Sequence, residues 1–311
     1  MPVVVLFIIF VALLVIAVPV SITLGITSVL PSVFDPSFTV GAKYLIRAMF
    51  GGLDSFPLLA VPMFVLSGII MAKGGISKKL FDVFAYFLGR FTAGMPYAVI
   101  VTCLFYGAIS GSAPATVAAV GSMTIPILTT LGYDLTFSTA IVAVAGGLGV
   151  IIPPSIPFIM YGMASGASVS DLFLAGIVPG LMIGVLLMLY AIYYCKRYGE
   201  DKEKIHAEVK ILHDKGLLKV LKESFFALLS PVIILGCIYS GIASPTEAAV
   251  ISVFYALIIS LFVYRSIKIK DIWGILVEAI RTFTPILFIL AASTAFSRVL
   301  TLMQVPQTVS E

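Results

Sequence analysis

Eight apolar segments follow one another along the chain, at roughly residues 3–26, 56–72, 97–131, 137–165, 171–195, 225–242, 246–264 and 282–303. Polar positions gather between these runs instead of recurring through them at the period of a half-buried soluble helix or strand. Runs of this length with at most one charge predict membrane-spanning helices. The first, "VVVLFIIFVALLVIAVPVSITLGI", exceeds a signal-peptide core and lacks a basic lead or small-residue cleavage pattern, so it predicts a retained span. One piece differs. "ISKKLFDVFAYFLGRF", with Lys78, Lys79 and Arg90 among apolar positions, predicts an amphipathic helix along the membrane interface.

Two apolar segments are interrupted from within. "SGSAPATVAAVGS", residues 110–122, places Ser110, Gly111, Ser112, Ala113 and Pro114 in the middle of the run 97–131. A continuous helix from Tyr97 to Leu128 would be roughly 48 Å long, against a hydrocarbon core of about 30 Å. Two half-helices of about 20 Å each, meeting at a non-helical tip, fit better. The second interruption, "AGGLGVIIPPSIPFIMYG" at 145–162, sets Gly146, Gly147 and Gly149 ahead of Pro153, Pro154 and Pro157. Proline removes a backbone donor and clashes with the preceding turn, so carbonyls near Gly149 to Ile152 should be released. Free backbone at membrane depth is tolerated where it is buried in protein or lines a cavity.

Charge sets the topology. Three basic stretches lie around Lys73 to Arg90, in "KRYGEDKEKIHAEVKILHDKGLLKVLKES" at 196–224, and at Arg265, Lys268 and Lys270; all three should face the cytoplasm. Parity holds only if residues 97–131 enter and leave by the same face, as a re-entrant hairpin. Lys43 and Arg47 then fall outside, a mild violation. A mean hydropathy of +1.16 and a charged fraction of 11% exclude a soluble domain and a nucleic-acid face. Cys103, Cys195 and Cys237 read as small buried hydrophobes, and His206 and His213, seven apart, as solvated surface residues. Asp54 and Glu247 read as solvated carboxylates at segment ends.

The breaks contain little that titrates. Between Arg90 and Asp171 the one ionisable side chain besides tyrosine and cysteine is Asp134, in a predicted loop. Hydroxyl and carbonyl oxygens remain, which suit a hard monovalent cation, Na+, better than a proton relay or a transition metal. An anionic solute can share the charge balance with the cation and with half-helix N-termini. No catalytic or phosphate-loop motif is present, so no enzyme is expected. A short internal match, "GLDS" at 52–55 before Pro57 and "GIAS" at 241–244 before Pro245, hints at the inverted repeats of transporters.

With "GGLDSFPLLAVPMF", "SGSAPATVAAVGSMTIPIL", "GYDLTFSTAIVAVAGGLGVIIPPSIPFIMYG", "DLFLAGIVPG" and "SGIASPTEAAVISVFYAL", the chain resembles the large membrane subunit of tripartite ATP-independent periplasmic (TRAP) transporters. The resemblance implies an all-α, multi-span, inverted-repeat elevator transporter of the bacterial or archaeal cytoplasmic membrane that uses a Na+ gradient to import an organic acid. It implies as partners a small four-helix membrane subunit, an extracytoplasmic solute-binding protein and membrane lipid. By the same resemblance Na+ is held by Ser110 and Ser112 with backbone oxygens near Gly149, Ile152 and Pro154. Gly111, Ala113, Pro114, Thr116, Pro153 and Ser155 then lie near the solute. The expected organisation is scaffold helices and an amphipathic arm (1–96), a first transport half (97–166) with hairpin 97–131 and broken helix 137–165, a span (167–195), a charged cytoplasmic loop (196–224) and the start of a second repeat (225–311). Such subunits continue for roughly another hundred residues, so a truncated chain, with a non-transporting structural role as the alternative, is also expected.

Overall fold

The computed structural model describes residues 3–34, 38, 41–305 and 307. Every regular element among them is helical, and six helices or helix-plus-turn segments are long and apolar enough to cross a membrane. The chain is an all-α integral membrane protein. It divides into two compact units, residues 1–58 with 280–311 and residues 59–279.

In the first unit the apolar run 3–26 is not one span. It forms α1 (Val3–Val15) and α2 (Val20–Phe34). The stop is local: Val18 N–H donates to the Leu13 carbonyl and Ala17 N–H to that of Leu14, with Ala17 at φ 65°. That is a Schellman closure, and Pro19 just beyond it prevents the helix from resuming in register. Leu6 and Leu24 bury against Ala292 and Phe296, and Phe10 stacks on Phe296 at 5.7 Å. Helix α3 (Ala42–Leu53) buries Leu45 and Ala48 against Ala295 and Val299.

The second unit opens with α4 (Ala60–Lys73), entered through a 3-10 turn at Phe56–Leu59, and α5 (Ile76–Leu88). The apolar face of α5, with Ile76, Leu80, Phe81 and Val83, is buried against its neighbours α6 (Gly94–Ser110) and α12 (Leu217–Tyr239). Its amphipathic pattern therefore serves protein contacts. Helices α6 and α7 (Ala113–Thr130) form the hairpin; α8 (Leu135–Gly147) and α9 (Ile156–Ser165) form the broken helix. Each hairpin arm is about 26 Å long, more than the 20 Å expected, because α6 already begins at Gly94 and α7 runs from Ala113 to Thr130. Then come α10 (Val169–Tyr198), α11 (Lys202–Asp214), α12, α13 (Pro245–Ile258, running into a π turn at Ile259–Val263) and the first turns of α14 (Ile272–Leu302), whose remainder from Ile280 belongs to the first unit. The 196–224 stretch is thus mostly helical, not a loop.

The three basic stretches meet at one end of this unit. Lys79 Nζ pairs with Glu223 at 2.6 Å, and the Ser224 hydroxyl donates to the Lys79 carbonyl at 2.8 Å. Ser266 Oγ donates to the Gly74 carbonyl at 2.9 Å. His213 is half-buried and partnered instead of freely solvated. Its Nε2 lies 3.1 Å from the Tyr86 carbonyl, its Nδ1 2.9 Å from Arg90, and its ring stacks on Tyr86. His206 bonds its own helix, through the Lys202 carbonyl at 2.6 Å.

Helices α4 and α13 pack along one another and finish together, at Gly74 and Ser260. They run in the same direction, so "GLDS" and "GIAS" do not mark a pair related by inverted topology. Glu247 is a structural cap: its carboxylate accepts from Ser244 N–H at 2.7 Å and closes a capping box at the start of α13. Cys103 and Cys195 are buried and Cys237 half-buried.

Candidate functional site

Both feet of the hairpin are held by one carboxylate. Glu200, just past the end of α10, accepts from Ala93 N–H at 3.1 and 3.2 Å and from the Tyr133 hydroxyl at 2.5 Å. Ala93 precedes α6 and Tyr133 follows α7, so the hairpin starts and ends at the same point, beside the charged α11. Burial, and the Glu200 carboxylate to which it donates, push the Tyr133 phenol up, so it remains a donor at physiological pH.

At the far end the chain leaves the helix for two residues. Gly111 closes α6 at φ 62°, a conformation that disfavours any residue with a Cβ, and Ser112 at φ −140° opens α7 as its N-cap. The side chains then turn inward. Thr116 Oγ1 donates to the Ser112 carbonyl at 2.8 Å, which leaves Ser110 Oγ to donate to Thr116 Oγ1 at 3.0 Å. Ser110 is 1% exposed and Thr116 0%.

The broken helix meets this tip backbone to backbone. Past α8 a 3-10 turn at Leu148–Val150 ends in the irregular stretch 151–155, and α9 restarts at Ile156. Ile156 N–H donates to the Gly111 carbonyl at 3.2 Å. A Cβ built on Gly149 would lie 2.5 Å from Thr116 Oγ1 and 3.1 Å from the Ser112 carbonyl oxygen. One built on Gly111 would lie 2.8 Å from the Pro154 carbonyl oxygen, and one on Gly107 2.6 Å from Gly149 Cα. Glycine is required at these contacts for proximity. Ser155 is consumed locally: its hydroxyl donates to the Val150 carbonyl at 2.6 Å and accepts from Phe158 N–H, as the N-cap of α9.

Ser110, Ser112, Thr116, Gly149, Gly111 and Pro154 thus form one cluster. Ala113 and Pro114 make the first turn of α7, with Pro114 exposed, and Pro153 is buried in the second break. Ile152 packs its side chain against Gly180 of α10, and its backbone lies in the irregular stretch 151–155 beside the cluster. Sequence reasoning placed Thr116 beside the site; the structure places it at the centre. The i, i+4 spacing from Ser112 is the signal that could have found it.

Two helices end at this cluster, α6 and α8 with its 3-10 turn, and two begin, α7 and α9. Carbonyl ends favour a cation and amide ends an anion. The donor set that could hold a cation is oxygen only: Ser110 Oγ, Thr116 Oγ1 and the carbonyls of Ser112 and Pro154. Among the described residues no group of His, Cys, Asp and Glu side chains is arranged to hold a metal. This chemistry fits a hard monovalent ion such as Na+.

The family described as Tripartite ATP-independent periplasmic transporter, DctM component, matches residues 7–311. The chain belongs to this family. It is 42% identical over 310 residues to the isethionate TRAP transporter permease protein DctMQ of Oleidesulfovibrio alaskensis, covering 100% of this chain and 48% of that one. It is 39% identical over 262 residues to the C4-dicarboxylate TRAP transporter large permease protein DctM of Pseudomonas aeruginosa, covering 84% and 60%. It is 33% identical over 273 residues to the sialic acid TRAP transporter large permease protein SiaM of Vibrio cholerae, covering 88% and 62%. The chain spans about half to three-fifths of the length of these DctM-family relatives, all named as transporter permeases and not as enzymes.

Proposed function

We propose that this chain is a large membrane subunit of a Na+-coupled TRAP transporter that imports an organic acid across a bacterial or archaeal cytoplasmic membrane. The observation that carries the reading is the convergence of the hairpin tip and the broken helix on one oxygen-only cluster. Ser110, Ser112 and Thr116, with backbone oxygens near Gly149, Ile152 and Pro154, form the ion site. A bound Na+ supplies positive charge that balances a solute carboxylate. The amide ends of α7 and α9 face the same place and favour the anion. Gly111, Ala113, Pro114, Pro153 and Ser155 shape the backbone there.

Relatives named for isethionate, C4-dicarboxylates and sialic acid support an organic anion as solute. In this reading an extracytoplasmic solute-binding protein delivers it and a small four-helix membrane subunit completes the complex. The hairpin and broken helix move as one body in an elevator motion, entering the membrane from the face that carries the basic stretches.

Uptake of a radiolabelled organic acid by the complete complex in proteoliposomes, with its binding protein outside, tests the reading. Uptake should require an inward Na+ gradient; uptake that persists without Na+ would remove the coupling. Cysteines introduced beside Lys73 and Lys210 should both resist an impermeant reagent applied to intact cells, and labelling of one alone would break the same-face topology.

A further inference from the structure

Beside the oxygen cluster lies a cavity of about 270 Å³, lined by Gly68, Lys73, Tyr106, Ala115, Ser122 and Glu278 among others. Its inner end reaches the tip: a Cβ built on Gly68 would lie 3.1 Å from Ser110 Cβ, and Ala115 is three residues from Ser112. From Ala115 to Ser122 it follows α7 for about 10 Å toward the hairpin feet. Along that path α7 presents the small side chains of Ala115, Ala118 and Ala119. At the rim, in the last turn of α4, Lys73 Nζ pairs with Glu278 Oε2 at 2.5 Å, the two side chains 45% and 49% exposed.

We infer that this cleft is the cytoplasmic passage of the solute and that Lys73 is the anion contact at its mouth, screened by Glu278 until a solute carboxylate or sulfonate replaces it. The inference rests on the permease reading above. Three features support it. The path runs from Gly68 and Ala115, which adjoin the proposed ion site, to the basic end of the unit. Its α7 wall, Ala115, Ala118 and Ala119, carries small side chains that leave room for a small solute. The cation at its mouth already binds a carboxylate, and half-exposed ion pairs are weak enough to be exchanged. A lysine serving only the carbonyl end of α4 would need no cavity beside it.

The test uses the complete complex in inside-out membrane vesicles, with succinate, isethionate and N-acetylneuraminate as radiolabelled probes. Lys73→Met should raise the half-saturating concentration at the cytoplasmic face about tenfold, the loss of one charge-assisted contact. Glu278→Gln should lower it, and Lys73→Arg should stay near the parent. Uptake from the binding-protein side should keep its half-saturation and Na+ dependence in all three. If Lys73→Met and Glu278→Gln shift the cytoplasmic value in the same direction, or leave it unmoved, the pair is structural and the passage is overturned. An effect present in phosphatidylglycerol vesicles and absent in phosphatidylcholine assigns Lys73 to a lipid headgroup and overturns it too. A parental complex that moves none of the probes sinks the permease reading together with this one.

Discussion

The two breaks in the second unit look alike in sequence, small residues followed by proline, yet they offer different chemistry. At the hairpin tip the side chains of Ser110 and Thr116 face each other across a two-residue gap, with the Ser112 carbonyl between them. At 151–155 the single hydroxyl, Ser155, is occupied by its own turn through the Val150 carbonyl. What the second break brings to the cluster is backbone: Gly149 against Thr116 and the Pro154 carbonyl against Gly111. One break supplies hydroxyls and the other supplies closeness. A binding site built this way should respond to loss of an oxygen on one side and to added bulk on the other.

That contrast can be tested by substitution in the complete complex. The largest effect is expected at Gly149→Ala. Its methyl group would sit 2.5 Å from Thr116 Oγ1, and overpacking of that kind should cut Na+-driven uptake on the order of a hundredfold. Gly147→Ala, two residues away and with nothing within 4 Å, should be tolerated, and equal losses at both would show that the close approach is irrelevant. Next comes Thr116→Val, which keeps the shape and removes the oxygen. It should raise the Na+ concentration for half-maximal uptake about tenfold, while Thr116→Ser stays near the parent.

Ser112→Ala should be milder, about two- to threefold in the same measurement, because the group at the centre of the cluster is the Ser112 carbonyl and its hydroxyl only caps Ala115 N–H at 3.5 Å. A larger shift at Ser112 than at Thr116 would reverse the assignment. The smallest effect on transport belongs to Ser155→Ala. It should lower thermal stability by about 1 kcal/mol through the lost cap and leave Na+ dependence unchanged, which a Na+ titration beside a melting curve separates.

Much of this was legible in the sequence, and the failures have specific causes. The two breaks could be located because glycine and proline cluster there. Proline alone would have misled, since Pro31, Pro126, Pro179, Pro231 and Pro285 all lie inside unbroken helices. The stop between α1 and α2 was hidden because hydropathy does not register the left-handed dihedral of Ala17. The centrality of Thr116 depends on Gly149, thirty-three residues later, reaching it across space. The direction shared by α4 and α13 is a tertiary fact that a four-residue match cannot carry. Glu247 is solvated, as expected, and its capping role was readable besides: Ser244 followed three residues later by Glu is a capping-box signature. His213 looked solvated because nothing local marks its partners Tyr86 and Arg90, both more than 120 residues away.

Glu200 has a mechanical consequence. Because one carboxylate gathers both feet, the hairpin is a lever with a single pivot and two stiff arms of about 26 Å. One degree of rotation at the pivot displaces the tip by about 0.5 Å, the tolerance within which a binding constellation must be held. The accuracy of oxygen placement at Ser110 and Thr116 therefore depends on the opposite end of the hairpin, through a side chain that touches neither, as well as on the Gly149 and Ile156 contacts at the tip itself.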